Sequence, residues 1–428
     1  MNFQKSLLQG LLWRGLYFVS VLLVNVFISR YLQAAGGGWI YYLSNIFSFA
    51  LLFLSISLDA GINYFAPADK IATNKLFWFT ISWSLIVVLI SFIVVWIYIH
   101  MNGTLPVENA EALYYFGVYY ITGLFFANCG VSLFHAKGNF FLPNVILVAC
   151  NIGCILFIPK TVMATNIAEA LPALKIYFFF FLVQGLSIMI AWLIKHKAYK
   201  NIVFPGAVQT KQLLRFSFVA LLANVIFFLV YRIDYYFVDV SPVCTAEDLG
   251  NYIQVSKLGQ MLLIIPQIIA SVIYPGTASE LNRKELNNAV MIIARLFSQL
   301  YLLLFIVVLV AGRWFFPWLF GNSYNAMQLP FMLLLPGIFC LSVLALVSAY
   351  FGGKGKVKVN VTAAFIALIV VAAGDYIFVP LYGIIAAAIV STVGYAVNLA
   401  YTLFAFYKDY AVNLADFFRW RASDYLWV

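Results

Sequence analysis

Two charged side chains interrupt the apolar stretch "FFLVYRIDYYFVDV" (residues 227–240): Arg232 and Asp234. A third, Lys257, lies in the apolar stretch that follows. If the surroundings are hydrocarbon, a charge facing lipid costs at least ~2.5 kcal/mol on insertion scales. Such a residue must then meet protein, water or a ligand. Arginine and lysine are suited to bind an anion, and the guanidinium fork matches a phosphate ester. A carboxylate at the same depth can balance them or carry a proton or cation.

The surroundings follow from composition. Of 428 residues, 65% are hydrophobic and 9% charged. A soluble domain is nearer half apolar and about a quarter charged. Runs of about 20 apolar residues, the length that spans a bilayer, recur along the whole chain. No segment is left over for a soluble domain, and the longest polar connection runs from Lys195 to Arg215. The fold class expected is an all-α polytopic membrane protein. Twelve spans are read, at residues 7–31, 39–65, 76–99, 113–134, 140–158, 174–194, 216–238, 249–274, 289–311, 328–351, 357–379 and 383–407. Gly36, Gly37 and Gly38 are read as the turn between the first two.

The net charge of +10 would raise nucleic acid as a partner in a soluble chain. Here the positive-inside rule accounts for it. Connections after even-numbered spans, with both ends of the chain, hold seventeen basic residues: Lys5, Lys70, Lys75, Lys137, Lys195, Lys197, Lys200, Lys211, Arg215, Arg283, Lys284, Lys354, Lys356, Lys358, Lys408, Arg419 and Arg421. The opposite connections hold Lys160, Lys175 and Arg313. Both termini are therefore expected in the cytoplasm, which requires an even number of spans. The aromatic tail "DYAVNLADFFRWRASDYLWV" is expected along the cytoplasmic membrane surface.

A faint repeat divides the chain. "LLVNVF" in span one resembles "LLANVI" in span seven, and "HAKGNFFLPN" after span four sits where "GGKGKVKVN" does after span ten. Both pairs are six spans apart. The expectation is two parallel six-helix bundles around a central cavity, the geometry of alternating access. Their bounds are 1–200 and 201–410, with a tail at 411–428.

Within the spans, Arg232 lies about seven residues before the outer end of span seven, ~10 Å deep at 1.5 Å per residue. It shares a face with Phe228, Tyr235 and Asp239, whereas Asp234 shares one with Tyr231 and Val238; residues two apart do not face each other. Lys257 matches Arg232 in depth on the antiparallel neighbour. Two such cations repel unless an anion sits between them, and Asp234 or a substrate can supply it. Arg14, Arg30 and Arg295 are further candidates to bind the anion, with interfacial anchoring as the plain alternative. Interior acids are fewer: Asp59, Asp234 and Asp375. Of these, Asp59 and Asp234 are the candidates for coupling to a proton or sodium gradient.

Other chemistry lacks its residues. There is no GxxxxGK[ST] loop, and "GGKGK" (352–356) lacks the Ser or Thr. No Ser/His/Asp set, paired-carboxylate site or metal-ligand spacing is visible, and no cofactor is implied. The five cysteines sit mostly in apolar runs, against a disulfide framework. Cys150 and Cys154 read as small packing residues.

Four stretches carry a family resemblance. "VNVFISRYLQAAGGGWIYYLSNIFSF" resembles a first hairpin with Arg-x-Leu closing span one and a Gly-aromatic pair opening span two. "YRIDYYFVDVSPVCTAEDLGNYIQVSKLGQM" resembles spans seven and eight, with Arg-x-Asp, then Gly-x-Tyr, then a basic residue before Leu. "FFPWLFGNSYNAM" resembles the turn before span ten. "VPLYGIIAAAIVSTVGY" resembles the Pro-x-x-Gly opening of span twelve. The chain resembles, over nearly its whole length, the polysaccharide (O-antigen repeat-unit) flippases of the multidrug/oligosaccharidyl-lipid/polysaccharide (MOP) exporter superfamily. It departs at "QAAGGG", where the family more often has Leu-Gly and an acidic residue.

The resemblance implies movement of an undecaprenyl-pyrophosphate-linked oligosaccharide from the inner to the outer leaflet of the bacterial cytoplasmic membrane. Arg232, Asp234 and Lys257 match its motif; Arg14 rests on depth alone. Other polysaccharide-assembly proteins are the expected partners, with membrane lipid around the chain. The rivals are a same-fold exporter of lipid II or of drugs, and a membrane polymerase or ligase. The basic interior speaks against cationic drugs, and the short outer loops speak against a catalytic domain.

Overall fold

A computed structural model describes residues 3–67, 69–101, 110–158, 167–278, 283–410, 417 and 419–420. Every regular element among them is helical. In hydrocarbon a chain must satisfy its own backbone, which the helix does within one segment. Span hydroxyls join in by bonding carbonyls one turn back, as from Thr80 to Leu76 (2.9 Å) and Ser44 to Ile40 (2.8 Å).

The first helix, α1 (Phe3–Ser55), is followed by α2 (Leu58–Phe65), α3 (Thr73–Met101), α4 (Ala110–Ala136), α5 (Phe141–Phe157) and α6 (Ile167–Lys195). Then come α7 (Ala207–Asp239), α8 (Ala246–Leu262), α9 (Ile264–Ala278), α10 (Arg283–Phe320), α11 (Gln328–Gly353) and α12 (Val357–Tyr410). Nine helices among the described residues are long and apolar enough to cross a membrane. Two of them, α1 and α12, each hold two spans across a sharp break, and α5 is a shorter apolar helix. Counted this way the spans lie at the twelve positions expected. The chain is an all-helical, multi-pass membrane protein.

The breaks have local causes. In α1 the backbone turns at Gln33, with φ 58° and ψ −178°. The expected turn at Gly36–Gly38 is thus corrected: those glycines are helical, and the break sits three residues earlier. In α12 the break is at Gly383, φ 59° and ψ −142°. Span eight divides at Leu263 because Pro266 has no N–H to continue the ladder. A capping box opens α8: the Thr245 side chain accepts from the Asp248 backbone N–H, and the Asp248 carboxylate accepts from the Thr245 backbone N–H.

The chain's contacts define two units, 1–225 and 226–428. In the first, α4 packs chiefly on α6 and α3, and α1 on α5. The α4–α6 crossing is set by glycine. A Cβ on Gly123 would lie 2.3 Å from the Phe181 carbonyl oxygen, and one on Gly185 would lie 2.3 Å from the Gly123 oxygen. The helices approach backbone to backbone, as small residues permit in lipid. In the second unit α11 packs on α12, α9 and α10. There Gly337 lies against Thr392, and Gly374 against Val390.

Most of the tail, including Arg421, lies outside the described residues, as does Lys160. Phe417 is buried against Phe406, ring centroids 6.0 Å apart. The Trp420 indole N–H donates to Ser298 Oγ at 2.7 Å. These two residues rest on helices of the second unit.

Candidate functional site

Three of the candidate residues come together in the second unit. Asp234, on α7, is 1% exposed. One carboxylate oxygen accepts from the Tyr252 hydroxyl of α8 (2.5 Å) and from Ser391 Oγ of α12 (3.1 Å). The other accepts from the Tyr235 backbone N–H (2.9 Å). A buried carboxylate is tolerable when its lone pairs are filled in this way. Two consecutive helices and a third distant in sequence thus share one acid.

Arg232 is half-buried two residues earlier. Its guanidinium lies 5.3 Å from the centroid of the Phe228 ring, on the face expected, and Nη2 donates to Gln260 Oε1 at 3.3 Å. The Gln260 amide in turn reaches Ser256 Oγ at 3.3 Å. Lys257 stands near enough to Arg232 for the two charges to act on each other, and Asp234 also feels Arg232. Two cations and one acid are therefore gathered in the first part of the second unit. The acid's shortest bond runs to a tyrosine hydroxyl.

Asp375 of α12 belongs to this cluster, although the sequence marks it only as an interior acid without a site role. It is fully buried, and neither of its carboxyl oxygens has a hydrogen-bond partner among the described residues. It lies within electrostatic reach of Asp234 and Tyr252. An unpartnered buried carboxyl is costly.

The other candidates stand apart. Arg295, on α10, is 3% exposed. The anchoring alternative is thereby corrected for it, because an interfacial anchor keeps its head in water and this one is enclosed by protein. Ser298 Oγ donates to its carbonyl at 2.7 Å. In the first unit Arg14 is exposed, 6.0 Å from the Phe18 ring centroid, and Arg30 is exposed in the last turn before the Gln33 break. Sixteen residues of helix, ~24 Å, separate those two arginines. Asp59 is half-buried in the first turn of α2 and acts electrostatically on Cys129.

Polar side chains without charge escape a reading of the sequence. Asn151 Nδ2 donates to Ser20 Oγ (2.8 Å), and Gln184 Nε2 donates to Asn151 Oδ1 (2.7 Å), a buried chain across α1, α5 and α6. The signal is present, since amides within apolar runs are expensive in lipid and usually have partners. All five cysteines are free thiols, and no group of metal-ligating residues forms among the described residues.

The helix arrangement is a fold also seen in solved structures of other multi-pass membrane proteins. It is similar to a lipid II flippase MurJ in an inward closed conformation, with TM-score 0.67 and 12% identity over 95% of this chain and 88% of that one. It is also similar to the inward-facing conformation of a multidrug resistance MATE family transporter, with TM-score 0.70 and 14% identity over 92% of this chain and 95% of the other. The Vibrio cholerae MATE transporter VcmN, in its bent form, gives TM-score 0.66 and 14% identity over 97% of this chain and 98% of that one. Likeness at these identities is likeness of fold. No family model matches the sequence, and no curated protein matches it.

Proposed function

We propose that this chain is a flippase that carries an undecaprenyl-pyrophosphate-linked oligosaccharide, a polysaccharide repeat unit, from the inner to the outer leaflet of a bacterial cytoplasmic membrane by alternating access. The observation that carries the proposal is the grouping of Arg232 and Lys257 beside the buried Asp234. A guanidinium and an ammonium suit a diphosphate. Arg14, Arg30 and Arg295 are proposed as further contacts along the path. Both termini are proposed to be cytoplasmic. An interior-negative potential favours outward movement of an anion, by ~2.3 kcal/mol per charge per 100 mV. Coupling to proton or sodium is assigned to Asp234, with Asp59 as the first-unit candidate. Asp375 beside Asp234 supports the second unit, because two neighbouring carboxyls are eased by a shared proton or cation.

Proteoliposomes decide it. A fluorescent pyrophosphate-linked oligosaccharide is loaded in one leaflet, and its arrival in the other is followed for wild type and Arg232→Ala. Fast flipping that the variant loses is the expected result. A wild type that flips no glycan in an energised membrane sinks the proposal.

A second reading has its own support. The fold is shared with a lipid II flippase, and lipid II presents the same diphosphate headgroup. Running lipid II beside the glycan substrate separates the two: selective flipping of lipid II would replace the repeat unit as cargo and keep the anion site.

A further inference from the structure

A mostly apolar cavity that holds one carboxylate and a wholly apolar groove meet in the second unit, on the side of α12 away from its basic beginning. The cavity, of about 500 Å³, is bounded by the α7–α8 connection, the start of α11 and the α12 break. Among the described residues that line it, the one charged side chain is Asp248. The groove, about 570 Å³, runs between the two halves of α12 and is lined by hydrocarbon and aromatic side chains. Gly374 against Val390 is a close approach of the two halves along it. Tyr382 and Ile385 line both spaces, so one continues into the other. Each volume falls in the range of about 300–1,000 Å³ typical of ligand clefts.

We propose that this pair of spaces holds a glycerophospholipid with a primary-ammonium head group. An alkyl chain would lie in the groove, whose rim residues Phe378, Ile389 and Val393 are exposed where lipid surrounds the helix. The ammonium would sit in the cavity on Asp248. The cap bonds from Thr245 use Oδ2 of that carboxylate, and a carboxylate offers about four acceptor positions, so the head group's N–H bonds add to the cap. Charge selects the occupant. The transported diphosphate of the function proposed above is an anion, and Asp248, with Glu247 beside it on the exposed first turn of α8, repels anions. Tyr382 suits the junction, because a tyrosine ring has an apolar body and a polar tip. Close packing fixes the break at this junction. Gly383 sits at positive φ, where an added Cβ would lie 3.2 Å from Cys244 Sγ, and Ser241 Oγ donates to the Val379 carbonyl at 3.1 Å.

The test is native mass spectrometry of the delipidated full-length protein with phosphatidylethanolamine and phosphatidylglycerol of matched chains. Wild type should retain one phosphatidylethanolamine about tenfold better than phosphatidylglycerol, the effect of one hydrogen bond to a charged group. Asp248→Asn should keep the lipid but lose the preference. Ile385→Trp should fill the shared neck and lose the lipid. Equal retention of both lipids by wild type overturns the proposal without any variant. So does phosphatidylethanolamine retention unchanged in both variants, or its displacement by undecaprenyl diphosphate, which would give the groove to the substrate's tail.

Discussion

Ser391 Oγ donates to Asp234 Oδ2 at 3.1 Å although 157 residues separate the two. That bond and the shorter one from Tyr252 fasten α7, α8 and α12 at one buried point. Structure and proposed coupling therefore share an acid, and their contributions can be separated. Tyr252→Phe removes a hydrogen bond to a charged group and should cost ~1.5–3 kcal/mol, read as a lower melting temperature in detergent. Asp234→Asn keeps an acceptor in place, so it should stay folded yet lose the dependence of flipping on the ion gradient. Gradient-dependent flipping by Asp234→Asn would remove Asp234 from coupling.

Arg232 offers a finer contrast. Lysine retains the charge but has neither the fork that reaches Gln260 nor the plane that lies near Phe228. Arg232→Lys should flip substrate at a reduced rate, between wild type and Arg232→Ala. Equal rates for Lys and Ala would mean that charge alone is not what this position supplies.

The α4–α6 crossing should tolerate no side chain. A methyl on Gly123 or Gly185 meets backbone atoms at 2.3 Å, and backbone cannot rotate away. Gly123→Ala should destabilise by ~1–3 kcal/mol. Gly15→Ala is the control, since nothing lies within 4 Å of its added Cβ. Thermal unfolding of the two variants side by side checks the difference.

His196 predicts a pH response outside the membrane. It stacks on Trp192 at 4.0 Å, and burial, then the nearby cations Lys195 and Lys137, hold its pKa below the ordinary 6.5. The unfolded chain thus takes up the proton first. The stability tied to His196 is complete above 6.5 and is lost as pH falls below it. Between about pH 7.5 and about pH 5, His196→Gln should lose less thermal stability than wild type; an identical loss would clear His196 of the effect.

Orientation has a direct probe. Lys354 closes α11 on the side proposed as cytoplasmic, and Cys244 lies on the opposite connection. In a Cys244→Ser background, Lys354→Cys should be protected from an impermeant thiol reagent added outside intact cells. Labelling there would invert the proposed topology.

What the sequence reveals follows from what lipid makes expensive. Seventeen basic residues in one set of connections and the chain ends, and three in the other set, leave five of the chain's 25 deeper in the apolar stretches: Arg14, Arg30, Arg232, Lys257 and Arg295. Charges stand out against hydrocarbon, so the grouping of Arg232 and Lys257 is visible as matched depth on neighbouring helices. Their surroundings are not. Tyr252 and Ser391 carry no sign and resemble many span hydroxyls, and only folding brings them to Asp234. Burial of Arg295 depends on packing around α10, which periodicity does not encode. The first hairpin misleads because its three glycines begin three residues beyond the true break.

That break has a consequence for how the sequence can change. Gln33 and Gly383 hold almost the same φ, and both lie in a region that glycine enters freely and other residues enter at ~1–3 kcal/mol. One turn is already made of the residue that suits it; the other is not. Selection for hardier variants should find an easy gain at position 33 and only losses at position 383.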